Sequence, residues 1–432
     1  MYQQILEEIY HCYPMYHKIG QKAYKEGMEN IEQLVKILGN PERNFKTVHV
    51  AGTNGKGSVS HLLASFFQEA GYHTGLFTSP HLIDFRERIK VNGIEISEKE
   101  VIDFFESHRK KMQEISPSFF EMTVALAFDY FRKKEVDIAI IEVGLGGRLD
   151  STNFITPELS VITNISLEHT AMLGNSISEI AFEKAGIIKE GIPVVIGEYH
   201  EESFPVFTKI ASEKKAPIFT TKEINVNLLQ DKKLETLYQA IDIYYKNNLI
   251  GENIHCPLLG AYQLKNISTY TRAALYLCEK FNISTNCIIS GIEKVLQNVH
   301  LQGRWQILNQ KPMTICDVGH NLACFQEITT QIQQLNYTHT HFIIGFVNDK
   351  DIDSILSILP RQHTTYYICQ ADIERALNIT QLHDLMNNAE LDTITGSSVQ
   401  DAYQLALKNA KPEDLIFISG STFVVGELLK NM

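Results

Sequence analysis

Apolar residues recur at helical spacing over the first forty positions, at Ile5, Ile9, Ile31, Leu34, Val35 and Leu38, and predict that residues 1 to about 40 are helical. The pattern then changes. "FKTVHVAG" is a short apolar run broken at Gly52, which predicts a buried strand, and the "VSHLLASFFQEAG" that follows predicts a helix closed by Gly71. Further strands are predicted at Asp137 to Gly144, Leu159 to Ile165 and Pro193 to Glu198, with helical stretches between them. Strands alternating with helices imply crossover connections and a parallel sheet buried on both faces. A helical stretch from Ile288 to Val299 gives way to "HLQGRWQIL", and a second alternating series begins: "MTICDVG", "HFIIGF", "TTYYIC" and "DLIFISGS". The expected fold class is therefore α/β in two domains, 1–299 around a parallel-rich sheet and 300–432 forming a smaller Rossmann-like unit. The site of the second is expected at the carboxyl ends of its strands.

Length supports the division, because 432 residues exceed the ~100 to 200 of one ordinary domain. With 44% hydrophobic and 21% charged residues the composition is globular. The formal net charge of -12 gives no reason to expect nucleic acid as a partner. It leaves anionic small molecules open, since helix N-termini and local patches decide that affinity. The N-terminus, "MYQQILEEIYHCYPMY", has no charged n-region or apolar h-region of a signal peptide. No run reaches the ~18 apolar residues of a membrane span, so no membrane partner is expected. The seven Cys lack CxxC spacing, indicating neither a disulfide framework nor a zinc site, and a reducing cytoplasm is the expected setting.

Chemistry concentrates where predicted strands end. In "AGTNGKGS" the glycines let the backbone wrap phosphate oxygens, and the helix that follows points free N–H groups at them. Thr53, Asn54, Gly55, Lys56, Gly57 and Ser58 are the candidate phosphate contacts, with Lys56 as the neutralising charge. Gly57 stands where the common phosphate-loop pattern has a metal-binding Ser or Thr, so the loop leaves open what completes a magnesium shell. In "LFTSPHLIDFRERIKVNG", Ser79 precedes a proline and is extended; Arg86 and Arg88 could meet an anionic substrate, Glu87 could cap a helix, and a plain loop is equally compatible. Glu142, at the end of a very apolar strand, needs a cation or donor to be buried, and a phosphate-bound magnesium ion suits it. Asp150 is expected to face the same crevice. His169 follows another strand end and is expected on the same rim, whereas Lys184 alone reads as an ordinary surface lysine.

Together, "GTNGKGS", "TSPHLIDFRERI", "GLGGRLDSTN", "EKAGIIK", "GRWQI", "DVGHN", "NDKD" and "GSTFVVGE", in that order from residue 52 to 427, resemble the Mur ligase superfamily. The resemblance is specifically to its folylpolyglutamate synthase and dihydrofolate synthase branch. It implies an ATP-dependent ligase joining L-glutamate to dihydropteroate, to a reduced folate, or to both, through an acyl phosphate. It implies that Gly55, Lys56, Gly57 and Ser58 hold phosphates; that Ser79 and Glu142 hold one Mg2+ and Glu142 and His169 a second; and that Lys184 is carbamylated, which makes it a metal-orienting group. Lys56, Lys184, His169 and Arg304 are the implied catalytic residues. Arg304, Asn266 and Asp317 are the implied nucleotide contacts beyond the loop. Asp317 and His320 are placed by it near nucleotide and glutamate, Ser421 near glutamate, and Phe120 and Asp150 around the pterin. The chain departs from the family at Val318, Gly319 and Leu322 of "DVGHNL", at Tyr262 where His is usual, and at Glu168 where Asp is usual. A monomer is expected. Two alternatives are a peptidoglycan Mur ligase, which would carry an additional N-terminal domain for a UDP-sugar, and a regulatory P-loop ATP-binding module without ligase activity.

Overall fold

The computed structural model describes residues 1–13, 27–229 and 237–432. The helical expectation for the first forty residues holds at Tyr2–Cys12 and Glu29–Ile37; its part at 14–26 lies outside the described residues. All six predicted apolar positions are buried in one core cluster, which also contains Phe128 and Phe131. Each such side chain contributes roughly 1.5–3 kcal/mol when fully buried.

The first sheet contains β1 (Lys46–Ala51), β2 (Thr74–Phe77), β3 (Ile89–Val91), β4 (Ile94–Glu95), β5 (Ile138–Glu142), β6 (Leu159–Ile162), β7 (Val194–Ile196) and β8 (Ile218–Thr220), in the order β4-β3-β2-β5-β1-β6-β7-β8. From β2 to β8 across the sheet every pairing is parallel. β5, "IAIIE", is buried at every position, as a central strand covered on both faces must be. The helix Lys56–Glu69 is buried from Ser58 to Phe67 because the helices Gln263–Phe281 and Asn286–Glu293 cover the face it turns away from the sheet.

Two antiparallel features were not anticipated from the periodicity. β3 and β4 form a hairpin turned at Asn92 and Gly93, both with positive φ (46° and 76°), the Asn-Gly preference of a tight primed turn. A separate three-stranded sheet is built from β9 (Ile224–Leu228), β10 (Gln239–Tyr245) and β11 (Asn248–Cys256).

The second sheet comprises β12 (Gln306–Gln310), β13 (Met313–Cys316), β14 (Thr340–Ile344), β15 (Thr364–Ile368), β16 (Thr393–Thr395) and β17 (Leu415–Ser419), ordered β12-β13-β17-β14-β15-β16. Only β12 is antiparallel. The fold class is thus mixed α/β, with a parallel-rich first sheet and a second C-terminal sheet. Loops at the carboxyl ends of β1 and β6 touch loops at the carboxyl ends of β13 and β14, through Asn54 with Asn321 and Glu168 with His320 and Lys350.

Candidate active site

The phosphate loop leaves β1 at Ala51 and enters its helix at Lys56. Gly55 has φ 83°, and a β-carbon there would lie 2.2 Å from Oδ1 of Asn266, so both conformation and space require glycine. The neighbouring strand end splints the loop: Asn54 N donates to Oδ1 of Asn164 (2.8 Å) and Thr163 Oγ1 donates to Asn54 O (2.6 Å). Thr53 Oγ1 donates to Ser166 O at 3.3 Å. Lys56 Nζ folds back on Gly52 O and Thr53 O, 3.0 Å from each. Ser58 is buried, and its Oγ accepts from Nε2 of Gln263 (3.2 Å), whose Oε1 accepts from Asn266 (2.8 Å).

Glu142, 3% exposed, accepts from the backbone N–H of Ser79 at 3.0 Å. Burial pushes its carboxyl up, against Lys56, the Ser79 N–H and Arg304. A β-carbon on Gly57 would stand 3.5 Å from Nη2 of Arg304 and 3.7 Å from Oε1 of Glu142, which places cation and carboxylate together beside the loop. Gly57, Ser79, Glu142 and Arg304 line one cleft of about 300 Å³. A second, narrow pocket is lined by Gly52, Thr53, Lys56, Gly144, His169 and Lys184. Ser79 thus meets Glu142, and His169 shares a pocket with Lys184.

Lys184 lies in the helix Ile177–Ala185 but is no surface lysine. It is 4% exposed and donates to Gly52 O at 2.9 Å. Burial, then the charge of Lys56, lowers its pKa to about 7. His169, held at φ 51°, is lowered to about 4 by burial despite the neighbouring Glu168.

Asp150 is buried with its carboxylate engaged in its own loop, accepting from Leu145 N (2.8 Å), Thr152 N (3.0 Å) and Thr152 Oγ1 (2.5 Å). Phe120, half-buried, packs so closely on Gly144 that a β-carbon there would meet its Cζ at 2.4 Å. Of the open readings in the segment after Ser79, the cap holds for Glu87, which accepts from the backbone N–H groups of Leu82, Ile83 and Asp84. Arg86 pairs with Asp84 and Arg88 Nε donates to His81.

From the second sheet, Asp317 follows β13. Its Oδ2 accepts from Trp305 N (2.9 Å) and from the hydroxyl of Tyr262 (2.5 Å), and its Oδ1 from Gly319 N (2.8 Å). His320 Nε2 and Lys350 Nζ converge on Oε1 of Glu168, at 2.9 Å and 2.8 Å. Burial alone would raise the Glu168 carboxyl, but those two neighbours hold it well below the usual range. Ser421 caps the helix Thr422–Lys430, its Oγ accepting from Val424 N at 3.1 Å. Sequence reasoning missed Lys350 and the cross-sheet partners of Glu168 and Tyr262. Lys350 stood in a quoted motif, "NDKD", but nothing local told which chain segment it would meet.

A phosphate loop, a buried strand-end glutamate and a buried, partly discharged lysine, closed over by the loops of a second sheet, define a nucleotide-using enzyme that works between two α/β units. Comparison with known proteins makes this specific. Residues 50–274 match the Mur ligase middle domain and residues 303–422 the Mur ligase glutamate ligase domain. A dihydrofolate synthase/folylpolyglutamate synthase of Bacillus subtilis is 32% identical over 94% of this chain and 95% of its own. The chain spans 48% of a Haloferax volcanii protein, 30% identical, named as a probable bifunctional folylpolyglutamate synthase/dihydropteroate synthase. Among solved structures, Escherichia coli FolC in complex with DHPP and ADP superposes with a TM-score of 0.85 at 28% identity, covering 100% of this chain and 97% of that one. A Thermotoga maritima folylpolyglutamate synthase gives 0.80 at 31% identity, covering 99% and 96%. The chain belongs to the Mur ligase family, in its dihydrofolate synthase/folylpolyglutamate synthase branch. As such it is an ATP-dependent ligase.

Proposed function

We propose that this chain condenses L-glutamate with the carboxylate of dihydropteroate, and with the terminal glutamate of reduced folates, through an acyl phosphate formed from ATP. The observation that carries the reading is the buried lysine, Lys184, in one pocket with His169 and Lys56. A switch that only bound nucleotide would have no use for it. Residues 1–299 supply the nucleotide loop and pterin pocket, and 300–432 the glutamate side. All these groups come from one chain, so a monomer suffices.

On this reading the loop Gly55–Ser58 wraps the triphosphate, with Lys56 exchanging Gly52 O and Thr53 O for phosphate oxygens. Asn266 and Asp317 meet the rest of the nucleotide, and Arg304 the phosphates. The substrate carboxylate attacks the terminal phosphorus and releases ADP. The neutral amine of glutamate, oriented from His320 and Ser421, then adds to the acyl carbon, and phosphate leaves the tetrahedral adduct while the amine loses its proton. Phe120 offers a ring face to the pterin, and Asp150 shapes the loop beside it. Basic groups aimed at the migrating charge supply much of such catalysis.

The donor set fits Mg2+. Ser79 and Glu142 bring hard oxygens to the cleft beside Gly57. Few protein oxygens are needed for Mg2+, which substrate phosphates largely hold. Glu142 lines the cleft and His169 the narrow pocket; these are the residues that would hold a second ion. Such ions would offset the phosphoryl charge. Lys184 also fits carbamylation: with its pKa near 7 a substantial share of the amine is neutral, and a neutral amine is what carbon dioxide attacks. The resulting carboxylate-like group would suit the metal side of the pocket. The described residues include no helix long and apolar enough to cross a membrane. The seven unpaired cysteines favour the reducing cytoplasm as its setting.

Phosphate release from ATP tests the reading. It should require both glutamate and a pteroate or folate; release independent of both contradicts it.

A further inference from the structure

The histidine expected by resemblance at position 262 is a tyrosine here, and its hydroxyl reaches across to the second sheet. Tyr262 precedes the helix Gln263–Phe281, which carries Asn266. Its O–H donates at 2.5 Å to Oδ2 of Asp317, and the same oxygen accepts from Trp305 N at 2.9 Å. Asp317 is 3% exposed, so each donor it has offsets desolvation that water cannot relieve. Trp305 holds φ 49°, a conformation a bulky aromatic rarely adopts unless its surroundings impose it. Arg304 sits on this bent turn, Nη1 donating to Gly303 O at 3.1 Å and Nη2 directed at Gly57 of the phosphate loop.

The bonds form one continuous series from Tyr262 through the Asp317 carboxylate to the Trp305 N–H and so to Arg304. We propose that Tyr262 is a positioning residue for nucleotide capture, holding the Gly303–Trp305 turn through Asp317 so that Arg304 faces the phosphate loop. The proposal rests on the nucleotide role given to Arg304 above. It does not depend on which acid the enzyme glutamylates. Without the phenol, the carboxylate loses its shortest donor, the strained turn relaxes, and the guanidinium drifts from the phosphates. Nucleotide affinity falls, and the chemical step slows with it, because the same guanidinium faces the migrating phosphoryl charge.

Trp305 is the chain's one tryptophan and is 1% exposed, so its emission reports on the turn itself. The test is calorimetric titration of ADP into Tyr262→Phe and Tyr262→His, with Trp305 emission recorded before nucleotide. Tyr262→Phe is expected to weaken ADP about tenfold, a difference of about 1.4 kcal/mol, to raise KM for ATP and lower kcat severalfold, and to red-shift Trp305. Tyr262→His, which restores a ring N–H, should recover most of each. Unchanged ADP affinity and emission in a folded Tyr262→Phe protein overturn the proposal, as does equal loss in the Phe and His variants. If Tyr262→Phe does not fold, Asp317→Asn decides by Trp305 emission alone, because Asp317 is itself given to the nucleotide: a red shift supports the series, and wild-type emission overturns it. Wild-type protein that binds ADP but fails to glutamylate would remove the proposed function and leave this inference standing.

Discussion

Lys184 is the residue whose setting contradicts its local pattern. "SEIAFEKAG" reads as an ordinary amphipathic helix with an exposed lysine, yet the helix turns that side chain inward, onto Gly52 O. The charged form pays desolvation that Lys56 worsens, and the pKa falls to about 7. Between that value and the ordinary lysine value near ~10.4, the unfolded chain holds a proton that the folded chain does not. Stability from this group therefore rises with pH across that window, and its full penalty applies below it. In buffer free of carbon dioxide, Lys184→Met should raise the unfolding free energy more at pH 6 than at pH 9, the difference being on the order of several kcal/mol at most, read from denaturant unfolding at the two pH values; an equal gain at both would contradict the assignment. Lys184→Ala should cut turnover by about a hundredfold or more while changing ATP affinity less than about threefold, and unchanged turnover would remove Lys184 from the mechanism. Glu142 and Lys56 were legible beforehand because a charge at the end of an apolar strand, or in a glycine loop before a helix, has few structural uses. Lys184 was legible only by resemblance.

At the level of elements, the parallel strands were readable because burial on both faces leaves continuous apolar runs such as "IAIIE". The three-stranded sheet was missed although Ile224, Val226 and Leu228 alternate, because interleaved asparagines mask the period. Its second turn, Lys246 and Asn247 at φ 51° and 64°, is a primed turn without the usual glycine. The hairpin of β3 and β4 does carry an Asn-Gly signal, at Asn92 and Gly93, but its strands are only three and two residues long and show no period. Element geometry also constrains the pterin side. Because Phe120 lies against Gly144, Gly144→Ala must push the ring away or shift the loop after β5. It should raise KM for pteroate severalfold and destabilise by about 1–3 kcal/mol. A variant with wild-type KM would show that the ring does not meet the pterin.

At the scale of the whole molecule, the decisive contacts join the two sheets, and these were least visible in the sequence. Glu168, one methylene longer than the aspartate expected there, reaches both His320 and Lys350. No periodicity relates residues 168, 320 and 350; only the folded arrangement does. With the Glu168 carboxyl held well below its usual range, the stability it confers is complete above the ordinary carboxylate pKa and is lost as pH falls through the lower folded value. Glu168→Gln should cost about 3 kcal/mol at neutral pH, with a smaller difference from wild type below about pH 4. Small-angle scattering should show the variant more extended without ligand; identical profiles and Tm would mean that the pair does not hold the sheets together.

The most direct test of the account is the identity of the product. Purified protein with ATP, Mg2+, L-glutamate and either 7,8-dihydropteroate or tetrahydrofolate, analysed by mass spectrometry, should give each acceptor enlarged by one glutamyl residue, with one phosphate released per residue added. Acceptors of unchanged mass alongside continuing ATP hydrolysis would contradict it.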